Sequence, residues 1–278
     1  MAGRLEGKVA LISGGARGQG RSHAVRLAEE GADIITFDIA APVEGVKYPA
    51  PTEEDLAETV RQVEALDRRI VARVADARDF AAVSAVVDEG VAELGGRLDI
   101  VSANAGIFTF GSPAIEESEE DWDTMLDINL KGVWHTVKAA AKHMIEAGNG
   151  GSVVLTSSTA GILGTPNVGS YTAAKHGVVG LMKTLAKELG PHRIRVNTIH
   201  PTSVNTPMVL NQALYELFAP DLENPTEEVF RERLQALHAL PISAIDPVDL
   251  SNAILFLSSD EGRYVTGTQL KIDAGFTL

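Results

Sequence analysis

A doubly wound α/β fold, a parallel sheet of about seven strands with helices on both faces, is what the sequence predicts. Three observations point to it. Short apolar, β-rich runs alternate with amphipathic helical stretches along the whole chain. A glycine-rich turn, Ser13-Gly14-Gly15-Ala16-Arg17-Gly18-Gln19-Gly20, follows the first run and opens a helix. The residues with chemical potential fall at or just past the carboxyl ends of the runs, or on the helix that follows.

The candidate strands are Val9–Ser13, Ile34–Asp38, Ile70–Ala75, Ile100–Ala103, Ser152–Ser157, Arg195–Ile199 and Gln269–Ile272. Most are almost continuously apolar, as strands covered on both faces require. Two stretches exceed a minimal α/β repeat. Residues 39–52 carry Pro42, Pro49 and Pro51 and precede a helix at Glu53–Asp67. Residues 205–245 form a long excursion with helical patterns at Thr206–Phe218 and Thr226–Leu240. Insertions of this length in compact domains are usually functional or mobile. With no Pro/Ser-rich break, residues 1–278 read as a single dinucleotide-binding catalytic domain, with a cofactor-side insertion and a substrate lid.

The chain has 38 acidic and 24 basic residues, a net charge of −14. That argues against DNA or an anionic membrane as partner, since both attract clustered Lys and Arg. The absence of cysteine excludes disulfides, thiolate metal sites and cysteine nucleophiles. The seven histidines are scattered without an H-E-x-x-H pattern, so no metal site is expected. No apolar run approaches a membrane span, and the N-terminus lacks a signal-peptide core. A cytoplasmic protein is the expectation. The run from Glu116 to Asp121 reads as the N-terminal charge of the following helix.

Glycines in the 13–20 turn let the backbone bend tightly and approach a pyrophosphate closely, and the helix beyond offers unpaired N–H groups. The spacing is G-x-x-x-G-x-G, and no Lys-Ser follows, which excludes a P-loop. Asp38 ends the second strand, where a carboxylate can accept from both adenosine ribose hydroxyls and repel a 2′-phosphate. Arg17 points the other way, because a guanidinium in this turn could bind that phosphate. The carboxylate is the stronger discriminator, and NAD is expected over NADP.

Tyr171 and Lys175 stand four apart in a helical run to about Leu189, on one face and one turn from each other. Ser158 lies 13 residues upstream at the end of an apolar strand, Asn129 sits in another helix, and Asn104-Ala105-Gly106 ends the fourth strand. With Asp76, Tyr264-Val265-Thr266-Gly267 and Ile272-Asp273-Ala274-Gly275, these elements resemble the short-chain dehydrogenase/reductase family over essentially the whole chain, on a Rossmann-type sheet.

The resemblance implies that Tyr171 is the general base and that Lys175 holds the nicotinamide ribose and favours the phenolate. Ser158 would hold the substrate oxygen, and Asn129 would position a water linking Lys175 to solvent. Cofactor contacts are implied for Gly14, Arg17, Gly18, Gln19, Gly20, Asp38, Ile39, Asp76, Ala77, Asn104, Ala105, Gly106, Tyr171, Lys175, Pro201, Val204 and Thr206. One departure stands out: Thr202 replaces the glycine that usually follows the proline at Pro201.

Three features resemble a narrower group typified by carveol dehydrogenase: the Gly-Ala-Arg-Gly-Gln-Gly turn, the loop after Asp38, and the run from His200 to Met208. In that group the NAD tends not to exchange and is reoxidised by a separate redox carrier, mycofactocin. The expected substrate is then an apolar, terpenoid-like secondary alcohol or its ketone, met by Phe108, Phe110, Met208, Val209, Leu210, Leu214, Leu217 and Phe218. The family also implies a homotetramer through helices at Ser118–Glu146 and Tyr171–Leu189. His176, beside Lys175, reads as helix surface or interface rather than as a metal ligand. Two other readings stay open: an NADPH-dependent carbonyl reductase, favoured if Arg17 outweighs Asp38, and a non-catalytic NAD-binding sensor.

Overall fold

The computed structural model describes residues 3–278. Its strands are β1 (Val9–Ser13), β2 (Asp33–Asp38), β3 (Ile70–Val74), β4 (Ile100–Ala103), β5 (Gly151–Thr156), β6 (Ile194–Pro201) and β7 (Gln269–Ile272). They form one sheet in the order β3-β2-β1-β4-β5-β6-β7, every pair parallel. The strand order reverses between β1 and β4, which opens a crevice at their carboxyl ends. The expected seven-stranded, doubly wound sheet is borne out.

The helices are α1 (Gly18–Glu29), α2 (Glu53–Glu64), α3 (Phe80–Glu93), α4 (Glu119–Leu126), α5 (Gly132–Ala147), α6 (Gly169–Leu189), α7 (Gln212–Phe218), α8 (Glu227–Gln235) and α9 (Pro247–Ser258). One face of the sheet is sealed by α3, α5 and α6 through Val87, Val137, Met144, Val178 and Met182. The other is sealed by α1, α2 and α9 through Ala24, Leu27, Val63, Leu250 and Ile254. Full burial of each such aliphatic side chain contributes about 1.5–3 kcal/mol, which is why the central strands are apolar on both sides. The outer strands differ from that expectation. On β3, Val74 is 54% exposed, and β7 alternates between exposed and half-buried residues, because an edge strand is only partly covered.

Local chemistry sets the boundaries near the crevice. Thr52 and Asp55 form a reciprocal capping box that starts α2 and ends the 39–52 stretch, which contains neither helix nor strand. Ser118 caps α4, whose first turn holds Glu119, Glu120 and Asp121, as the acidic run suggests. Between α4 and α5 the chain makes a π-helical turn, Asp127–Lys131, so the long helix is continuous but locally widened at Asn129.

The two helices of the 205–245 excursion are shorter than the pattern predicts. Asn211 caps α7, which starts at Gln212 rather than Thr206. After α8 ends at Gln235, the N–H groups of Ala239 and Leu240 both donate to the Ala274 carbonyl, tying the excursion to the C-terminal segment.

Candidate active site

A cavity of about 610 Å³ runs along the carboxyl ends of the strands. At one end lies the glycine turn. A Cβ at Gly20 would stand 1.9 Å from the Gly14 carbonyl oxygen, and one at Gly14 would stand 2.8 Å from Ala105 Cα. Gly14 also has a φ of +73°. Only glycine fits these positions, and the bare backbone they leave faces the cavity. Arg17, at the N-cap of α1, gives the first turn no side-chain acceptor, so its N–H groups remain available to an anion. Gln19 lines the cavity with its buried Oε1 unpartnered among the described residues. These features fit a dinucleotide pyrophosphate.

Asp38 is buried, and its carboxylate accepts from the N–H of Ala16 at 3.0 Å and of Ala40 at 3.2 Å. Burial pushes its pKa up, against the pull of those two N–H groups and the Arg17 guanidinium. Asp76 and Ala77 line the next part of the wall, with Ile39. Arg78 forks onto Asp76 at 2.6 Å and, although burial raises that carboxyl, holds it below the usual range. Asn104 and Ala105 brace the floor: both N–H groups donate to Ser13 Oγ at 3.0 Å, and Asn104 Nδ2 donates to the Ser13 carbonyl.

The 39–52 stretch crosses the mouth. Arg17 donates to the carbonyls of Pro49 and Ala50, so the guanidinium that could have met a 2′-phosphate grips this strap. Val43 and Val46 pack with Ile107, Ile128 and Tyr171. Lys47 Nζ stands 5.2 Å from the Phe110 ring centroid. Tyr48 accepts from the Phe108 N–H at 3.3 Å, and burial pushes its phenol up to about 12. The far end is held too, because Arg21 bonds the carbonyls of Ala16 and Asp55.

Deeper in, Tyr171 and Lys175 project from α6 toward Ser158. Lys175 Nζ donates to the Thr156 carbonyl at 3.0 Å and lies 5.5 Å from the Tyr171 ring centroid. Burial lowers Lys175 to about 8, so the ammonium persists at neutral pH. Burial raises Tyr171, and a hydrogen bond with Ser158 opposes that rise. The Phe108 ring meets the Tyr171 ring edge-on at 4.8 Å. Glu117 fixes the start of α6 by accepting from the Ser170 N–H at 3.1 Å.

Every residue expected to carry the chemistry or to hold the cofactor lines this cavity except Asn129. That side chain is fully buried one layer behind the wall, accepting from the Ile107 N–H at 2.8 Å and donating to its carbonyl at 2.7 Å. Pro201, Val204 and Thr206 also line the cavity. Thr202 has no positive φ, so the missing glycine costs nothing in backbone strain, and its hydroxyl meets His238 Nε2 at 2.7 Å.

The outer end is apolar. Phe108, Met208, Val209, Leu214, Leu217 and Phe218 line it, whereas Phe110 and Leu210 only pack behind it. Phe230, Leu234 and Phe276 also line the cavity and were missed by sequence reasoning, as was Tyr48. A tyrosine inside a Pro-rich insertion and an aromatic at the chain end were the only signals. His176 is exposed and bonds the Thr172 carbonyl of its own helix. Among the described residues no group of acids and histidines could hold a metal, and no helix is long and apolar enough to cross a membrane.

Comparison with known proteins agrees with this geometry. Residues 8–215 match the short chain dehydrogenase family. The chain is 53% identical to (−)-trans-carveol dehydrogenase of Rhodococcus erythropolis, covering 99% of both chains. Carveol dehydrogenase from Mycobacterium avium, solved in complex with NAD, superposes with a TM-score of 0.97 at 57% identity, covering 99% of each chain. A short chain dehydrogenase from Mycobacterium paratuberculosis bound to NAD gives 0.90 at 46% identity, again over 99% of each. The resemblance to the carveol dehydrogenase group is thus borne out at the level of sequence and fold. The chain belongs to the short-chain dehydrogenase/reductase family of oxidoreductases.

Proposed function

We propose that residues 1–278 form one catalytic domain, an NAD-dependent dehydrogenase that oxidises an apolar, terpenoid-like secondary alcohol to its ketone in the cytoplasm. The observation that carries this reading is the convergence of Ser158, Tyr171 and Lys175 with the glycine turn on one cavity whose outer end is apolar. A sensor would need the turn but not the proton-transfer set.

When bound, oxidised NAD supplies the hydride acceptor and a positive charge that favours a phenolate in the same cavity. Tyr171 takes the alcohol proton as general base and returns it in the reverse direction. Ser158 holds the reacting oxygen. Its Oγ accepts from the Ala160 N–H at 3.1 Å, which leaves the hydroxyl proton free to donate. Lys175 stabilises the phenolate electrostatically and is the group for the nicotinamide ribose. Asn129 acts from behind the wall, by fixing the Ile107 loop and the π-helical turn that borders Lys175. The lid and Phe108 exclude water and select an apolar body.

NAD rather than NADP is supported by the buried Asp38 and by the engagement of Arg17 with Pro49 and Ala50. The same engagement supports a retained cofactor, with mycofactocin as the carrier that would reoxidise it in place. Release would require the strap to leave Arg17, Tyr171 and Phe108 together. Exposed Trp122 and Trp134, on α4 and α5, are consistent with a homotetramer through the long helices.

Native mass spectrometry reads these points at once. Four chains with stoichiometric NAD are expected from the wild type. Arg17→Ala, which frees the strap, should lose NAD roughly tenfold faster in a competition chase, the effect of ~1.4 kcal/mol. An empty monomer, or NADP in the wild-type complex, would refute the assembly or the cofactor assignment respectively.

A further inference from the structure

A buried imidazole beside the proton-transfer residues remains unassigned. His200 sits on β6 beside Pro201 with no exposed surface. Its Nδ1 lies 2.8 Å from the Ser158 carbonyl oxygen, and its Nε2 lies 2.9 Å from Thr198 Oγ1. A carbonyl oxygen only accepts, so Nδ1 carries the proton, and the neutral ring then accepts from the Thr198 hydroxyl at Nε2. Burial holds the imidazole below its ordinary pKa; the Ser158 carbonyl opposes that, and the nearby Lys175 ammonium reinforces it.

The partner of this imidazole matters more than the imidazole itself. Ser158 is extended, with φ −171° and ψ 170°, at the point where the chain leaves β5 and turns into a short 3₁₀ segment. Its carbonyl has two donors, the Gly161 N–H at 2.9 Å and His200 Nδ1. Upstream, the Thr156–Ser157 peptide is fixed by the Ser157 N–H donating to the Ile199 carbonyl at 2.9 Å. Among the described residues, the His200 bond is the only side-chain hydrogen bond to the Ser158 carbonyl, and it comes from the strand next door.

We infer that His200 is a positioning residue for Ser158. It pins the Ser158 peptide through Nδ1–H, so that the Ser158 hydroxyl stands where it meets Tyr171 and the substrate oxygen. This rests on the proposed dehydrogenase reading of the site. A loosened Ser158 would disturb the reacting oxygen while leaving the cofactor wall intact, because Asp38, the glycine turn and the strap lie on other elements. Misplacement of a catalytic group by about 1 Å can cost on the order of 100-fold in rate.

Two substitutions separate the two ring nitrogens. In His200→Asn the side-chain NH₂ falls near the position of Nδ1 and keeps the donor to Ser158. In His200→Gln the amide reaches instead toward the position of Nε2 and Thr198. With NAD and an apolar secondary alcohol such as carveol, His200→Gln should lose roughly 10- to 100-fold in kcat. His200→Asn should recover most of that loss, and both variants should keep the wild-type dissociation constant for NAD and a similar melting temperature.

Nitrogen-15 NMR of the wild-type imidazole should show the neutral tautomer with its proton on Nδ1. Equal activities of the Asn and Gln variants, or a proton found on Nε2, would overturn the inference. Ser158→Ala in the same assay separates the two levels. A fully active Ser158→Ala protein would overturn the reading of the site and the positioning role with it. An impaired Ser158→Ala beside equal Asn and Gln variants would remove the role of His200 alone.

Discussion

Tyr171→Phe should reduce alcohol oxidation by about 10²- to 10⁴-fold while leaving NAD affinity nearly unchanged. The substitution removes one oxygen from a ring that is otherwise held by packing against Phe108 and the cluster around Ile107 and Ile128. A free tyrosine titrates near ~10, so action as a base near neutrality needs roughly 4 kcal/mol of preference for the phenolate. Burial works against this, raising Tyr171, and the Ser158 hydrogen bond recovers part of it. The Lys175 ammonium on the next turn of α6 must provide more. Because the base is the deprotonated phenol, kcat/KM for oxidation should rise with pH across the neutral range, and the reverse reduction should fall. Lys175, lowered to about 8, limits the rise, since loss of its proton withdraws the field that favours the phenolate. Steady-state rates across pH, with and without the hydroxyl, measure both effects. A Tyr171→Phe protein with wild-type kcat would contradict the assignment of the base.

The second large effect belongs to cofactor choice. Asp38→Ala should weaken NAD binding by roughly 10- to 150-fold, the loss of a hydrogen-bonded charged acceptor worth about 1.5–3 kcal/mol. NADP binding should improve, because the like-charge penalty at the 2′-phosphate disappears. The two shifts together reverse the preference, which titration of both cofactors by calorimetry would read directly. Unchanged affinity for both would mean that Asp38 serves only the turn, through the N–H groups of Ala16 and Ala40. The sign of the pH effect follows from the raised pKa. The carboxylate is lost as pH falls, so discrimination against NADP should decline on the acid side.

Much of this was legible in the sequence because it is local. A strand followed by a glycine turn and a helix start, or two side chains one helical turn apart, needs only a few residues to be recognised. The strands of the sheet fell within a residue or two of their observed bounds for that reason. The exposure of Val74 depends on sheet order rather than on composition, because β3 lies at the edge of the sheet. The lid helices were read too long because hydrophobic spacing continues through Thr206 and past Gln235, while caps and contacts with Ala274 stop the helices early.

What stayed hidden depends on convergence of distant segments. Arg17 has the chemistry of a phosphate ligand in sequence, and only the fold places Pro49 and Ala50 against it. Tyr48 and Phe276 lie in stretches with no periodic signal, yet both reach the cavity. Asn129 sits in the π-helical turn, which no spacing rule announces, and its side chain serves Ile107 rather than the cavity surface. His200 reads as one more apolar-strand residue until β5 and β6 bring it against the Ser158 carbonyl.

The central claim, oxidation of an apolar secondary alcohol by hydride transfer to NAD with Tyr171 as base, is most directly tested by isotope transfer. The purified protein is incubated with NAD and carveol carrying deuterium on its carbinol carbon, and the nicotinamide is then analysed by mass spectrometry. Monodeuterated NADH and the corresponding ketone from the wild type, with unlabelled NAD from Tyr171→Phe, are the results this account predicts. Unlabelled cofactor from the wild type, or equal labelling in the variant, would contradict it.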